Sequence, residues 1–151
     1  MLPARPVDTP NRKIQNMEII SALPVTIVFV AVFALIQIPM TVAVGLRRLQ
    51  TDVQFMDGGD NVLLQRMRAH GNFTETVPIA LLAMAAAELA GAPHVLLWSG
   101  GAALLLGRLV HYATIVTTGF GIGRAIGMLL TLSSLVLFPG FVLLKLAGIS
   151  G

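Results

Sequence analysis

The sequence predicts an all-α integral membrane protein built as a four-helix up-down bundle. Three observations lead there. Hydrophobic residues make up 56% of the 151 residues and charged residues only 11%, against roughly 25% charged in soluble domains. So few charges cannot clothe a soluble surface. Long uncharged runs recur: residues 19–46 are 28 residues without a charge, and residues 125–144 are 20. Either can cross a hydrocarbon core that needs about 20 apolar residues. The polar connections between the apolar runs are short, which makes successive helices antiparallel neighbours. The same composition excludes disorder, and the absence of cysteine excludes a disulfide scaffold. The excess of 10 Lys and Arg over 7 Asp and Glu offers no solvated basic face, so no nucleic-acid partner is expected. Any thiol chemistry must use a thiol brought by the substrate.

Residues 1–18 read as a polar, mobile tail carrying Pro3, Pro6 and Pro10. The first helix is expected at about 19–46. Its length exceeds the 7–15 residues of a signal-peptide core, and membrane helices tolerate its Pro24 and Pro39. A polar loop follows, with Asp52, Asp57 and Asp60 read as exposed to solvent. Asp60 or Asn61 suits the N-cap of a second helix at 61–90, which Gly91-Ala92-Pro93 stops. A third helix spans about 93–117 and ends at Gly119, Gly121 and Gly123. A fourth covers about 124–146. Small residues at four-residue spacing (Ser99, Ala103, Gly107 and Gly123, Gly127) allow close helix approach.

The middle two helices are too polar for their length. Their uncharged stretches, 76–87 and 95–107, are 12 and 13 residues, short of the 17–25 a span needs. Charged groups must therefore enter the membrane. They lie at the N-terminal end of the second helix and the C-terminal end of the third, which antiparallel packing puts on one side. Arg47, Arg48, Arg66, Arg68, Arg108 and Arg124 all fall in that half. Charges at depth normally face a bundle interior or a wet cavity as parts of a site.

Helical spacing sorts these residues. Gln65, Arg68, Asn72 and Glu75 form one stripe, and Arg108, His111 and Tyr112 a second. Arg66 and His70 lie on another face. A closed Arg68–Glu75 ion pair is the structural alternative for the first stripe, and snorkelling to the interface the alternative for Arg108 and His111. A surplus of buried arginine otherwise calls for an anionic ligand with carboxylates, held by charge-assisted bonds. The lone acid Glu75 calls for an amino group on the same ligand. No metal site is expected: the three His cannot all meet, because His94 lies at the opposite end. The Gly119-x-Gly121-x-Gly123 run follows no strand and reads as a turn, not a phosphate loop.

The segment RMRAHGNFTETVP (66–78) resembles the second-helix motif of the MAPEG family, the membrane-associated proteins in eicosanoid and glutathione metabolism. Arg68, Asn72, Glu75 and Pro78 match it, and His70 fits several members. GRLVHY (107–112) is similar to the third-helix motif. The nearest likeness is to an uncharacterised bacterial inner-membrane branch.

This resemblance implies a homotrimer in the lipid bilayer, with glutathione bound as co-substrate between subunits near the cytosolic face. Arg68, Asn72 and Glu75 would hold its backbone groups, with Gln65 and His70 as further candidate binding residues. Arg108, His111 and Tyr112 would come from the third helix, and Arg47 or Arg48 from the end of the first. Arg124 matches the arginine that stabilises the thiolate, the catalytic role. The implied activity is a glutathione-dependent transferase or peroxidase acting on lipophilic small molecules. Ile115 stands where the family often has tyrosine. Ala125 and Gly71 depart from the prostaglandin-isomerising branch and disfavour that reaction. A non-catalytic thiol- or lipid-binding scaffold, or a small organic-ion transporter, are the alternatives.

Overall fold

A computed structural model describes residues 21–149; the expected polar tail lies outside the described residues. Four helices follow one another: α1 at Pro24–Thr51, α2 at Asn61–Leu89, α3 at His94–Thr118 and α4 at Ile122–Leu146. No strand occurs among the described residues. α1, α3 and α4 are each long and apolar enough to cross a membrane. α2 is not, yet it packs against all three others. The chain is a multi-pass helical membrane protein.

Each helix end has a local cause. α1 starts with Pro24 at its first turn, where a missing N–H costs nothing. Its next two N–H groups, of Val25 and Thr26, donate to the two carboxylate oxygens of Glu88 on α2 at 2.9 and 2.8 Å. α1 runs five residues beyond the expected Leu46. It stops where Asp52 turns left-handed, with φ 55°, and Arg48 in its last turn faces the negative end of the helix dipole. Asp60 caps α2 by accepting from Leu63 N at 2.6 Å. Gly91 (φ +82°) and Gly119 (φ +73°) close the next two helices. A side chain at Gly119 would also strike the amide of Gln65.

Close backbone approach sets the packing. A Cβ at Gly107 would lie 2.8 Å from the carbonyl of Gly127, and one at Gly127 would lie 2.6 Å from that of Gly107. α3 and α4 therefore touch backbone to backbone, and Ser134 Oγ donates to Gly100 O at 2.8 Å. Gly101 seats the ring of Phe29 from α1. The core is built from Phe29, Phe33, Phe73, Phe138, Met84, Leu97 and Leu104. Outward, Leu35, Ile38, Leu82, Val136 and Leu143 are exposed, an apolar belt suited to acyl chains.

Candidate ligand cleft at one end of the bundle

The α1–α2 loop spends two arginines. Arg47 forms a two-point pair with Asp60, Nε to Oδ1 at 3.0 Å and a terminal nitrogen to Oδ2 at 2.6 Å. Together with the Leu63 amide this bond holds the Asp60 carboxyl below the usual carboxylate range. Arg48 donates to the carbonyls of Val53, Gln54 and Met56 at 3.0–3.2 Å and gathers the loop around itself. Arg66 reaches across to Ala43 O on α1 at 2.9 Å. Arg47 and Arg48 are thus engaged at the loop and stand outside the clefts around Arg68, and Asp60 is half-buried in an ion pair rather than free in solvent.

Arg68 behaves otherwise. With Asn61, Leu64, Gln65 and Asn72 from α2, Ile115 and Gly119 from α3 and Arg124 from α4, it walls an open cleft of about 580 Å³. A second cleft of about 410 Å³ continues round the other side of Arg68 and Asn72, where Asp57 and Glu75 stand. The first stripe thus lies along one wet face, with cations at one end and carboxylates at the other. The Arg47–Asp60 pair is the one ion pair among the described residues. The closed Arg68–Glu75 pair is therefore not formed. Cation and acid both remain available to a ligand.

The second stripe is split away from this face. Arg108 and His111 are buried at 2% and 1% exposure, so neither snorkels. Arg108 donates toward His111 Nδ1 (3.2 Å) and Thr131 Oγ1 (3.5 Å). Its walls belong to an apolar cavity shared with Tyr112, not to either polar cleft. α3 brings Ile115 and Gly119 to the cleft instead, because they lie one and two turns beyond His111. His70 is likewise elsewhere: its Nε2 meets Thr41 Oγ1 on α1 at 3.0 Å. Asn61 and Asp57 are the site residues that sequence reasoning overlooked. Asn61 was legible, since it precedes Gln65 by one helical turn. Asp57 lies in an irregular loop with no periodicity to betray it.

Fold and cleft together define a polytopic α-helical membrane protein with an arginine-bearing cleft at one end of its bundle. The model of the MAPEG family matches residues 26–144, and the chain belongs to that family. Similar proteins include "Inner membrane protein YecN" of Escherichia coli strain K12 and its namesake in an O6:H1 strain of the same species. Each is 42% identical over 65 residues, which cover 43% of this chain and 50% of the relative. The chain thus spans about half the length of the curated relatives it matches.

Proposed function

We propose that the protein is a bacterial inner-membrane, glutathione-dependent transferase or peroxidase that acts on lipophilic electrophiles or hydroperoxides. The observation that carries this reading is the pair of unpartnered arginines, Arg68 and Arg124, on the wall of one cleft. Glutathione has a carboxylate for the Arg68 guanidinium, an ammonium for Glu75 and Asp57, and a thiol for Arg124. Family membership favours the same ligand. Arg124 also borders an apolar groove with Phe120, Ala125 and Met128, which would bring a lipophilic reactant beside the thiol.

A free thiol titrates near 8.5. A guanidinium beside it favours the thiolate. The thiolate attacks an electrophilic carbon; an S–C bond forms as the leaving group departs with its electron pair. With a hydroperoxide it attacks the terminal oxygen; the O–O bond breaks, and the alkoxide takes a proton to leave as the alcohol. The sulfenic acid left behind condenses with a second thiol to a disulfide and water. The Arg68, Glu75 and Arg124 side chains all lie at the surface of the single chain, so a homotrimer would cover them, with the site toward the cytosolic face.

Difference spectroscopy of the protein saturated with glutathione tests the reading. A thiolate band is expected at neutral pH. Arg124→Ala should lower the thiolate fraction about tenfold, one unit of thiol pKa, while binding changes little. Glu75→Ala should weaken binding about tenfold. Saturable binding with no thiolate band in the native protein would favour the non-catalytic thiol-binding scaffold, a reading that Ile115 in the cleft wall supports. Native behaviour in both variants would overturn the site.

A further inference from the structure

We propose that the thiol this protein prefers bears a single free carboxylate: a γ-glutamyl thiol peptide whose C-terminal carboxyl is masked as an amide. This inference rests on the reading of the protein as glutathione-dependent and narrows the class of thiol.

The two polar clefts meet along Leu64, Arg68 and Asn72, so one extended ligand can occupy both. Their charged walls are Arg68, Arg124, Asp57 and Glu75, two cations against two acids. In the γ-glutamyl group an ammonium and a carboxylate stand on one carbon. Glu75 and Asp57, in the same cleft as Arg68, complement that zwitterion. Arg124 then remains for the thiolate. Glutathione carries a second carboxylate, on its glycine, and no cation of the clefts is left for it. The other arginines of this end are engaged elsewhere. Arg47 is paired with Asp60, Arg48 donates to the carbonyls of Val53, Gln54 and Met56, and Arg66 donates to Ala43 O. None of them lines either cleft. A second copy of the chain laid over this face would bring the same arginines with the same engagements.

What the first cleft offers a peptide C-terminus is neutral. Asn61 and Gln65 stand one helical turn apart on its wall, and Arg68 stands one turn beyond them. Asn72 donates its side-chain N–H to Arg68 O at 3.0 Å. This leaves its Oδ1, an acceptor, to face a ligand, and an acceptor gives an anion nothing. A side-chain amide meets a carboxamide through both its donor and its acceptor, whereas toward a carboxylate only its N–H half serves. In the adjoining cleft Asp57 and Glu75 repel any further negative charge. The clefts therefore fit an ammonium, one carboxylate, a thiolate and a neutral amide terminus.

Isothermal titration of the protein in phosphatidylcholine nanodiscs tests this, with glutathione and two single-carboxylate analogues as ligands and empty nanodiscs as blank. γ-Glutamyl-cysteinyl-glycinamide should bind about threefold to fivefold tighter than glutathione at low salt, the scale of one charge contact in an open site. The analogue whose γ-glutamyl carboxylate is replaced by hydrogen should bind about tenfold more weakly than glutathione, because it loses the charge-assisted bond to Arg68. Gln65→Arg puts a cation on the neutral wall and should make glutathione the tighter ligand. Glutathione binding to the native protein as tightly as the glycinamide, or tighter, would overturn the single-carboxylate inference and leave the glutathione reading standing. Binding by none of the three thiols would overturn that reading, and this inference with it.

Discussion

Asp60 serves two elements at once: it caps α2 through Leu63 N and clamps the end of α1 through Arg47. Both contacts need the carboxylate. Its folded-state pKa is lowered, so its contribution is present above the unfolded value of about 3.9. That contribution is lost as pH falls through the lower folded-state value. Amide exchange in residues 53–60 should therefore accelerate below about pH 4, and Asp60→Asn should show the faster exchange already at pH 7 with little further response to acid. The arginines teach the complementary lesson. Six of them look alike in the sequence, and their common location near one end was legible from helix polarity. Their individual duties were not. Arg47, Arg48 and Arg66 satisfy a carboxylate and backbone carbonyls, Arg108 is buried among neutral acceptors, and Arg68 and Arg124 stay free in the cleft.

At the level of helices, α3 and α4 are joined through the facing pair Gly107 and Gly127. Of the other small residues in these series, Gly123 also meets α3, where a Cβ would strike Thr114 Oγ1, but Ser99 lies exposed and bonds back to Leu96 O. Backbone contact leaves no room for even a methyl group. Gly107→Ala should destabilise the bundle by about 1–3 kcal/mol, the cost of overpacking, read as earlier unfolding in a detergent titration. Gly140→Ala, where a Cβ would meet nothing, is the matched control and should leave the midpoint in place. α2 shows why amphipathic stripes were informative. Gln65, Arg68, Asn72 and Glu75 share a face whatever the tertiary arrangement, because helix geometry alone dictates it. The stripe on α3 misled for the converse reason: sharing a face does not say which neighbour that face meets.

For the molecule as a whole, the low charge content, apolar outer belt and three helices long and apolar enough to span require a membrane. The absence of native cysteine makes the topology easy to read. Single cysteines at Phe55 and Phe120, both highly exposed, should react with an impermeant thiol reagent from one side of sealed vesicles. A cysteine at Pro93, in the α2–α3 turn, should react only from the other. Labelling of Phe55→Cys and Phe120→Cys from opposite sides would break the up-down arrangement.

Helix number, membrane residence and the polar face of α2 all follow from periodicity and hydropathy, which are properties of a chain segment and its solvent. Family membership follows from motifs within single helices. What the α3 arginine and histidine face, which arginines are consumed by the loop, and the existence of an apolar cavity beneath Arg108 required the packed bundle. These depend on the rotation and separation of helices, and those are decided by where glycines let backbones touch and where larger residues hold them apart.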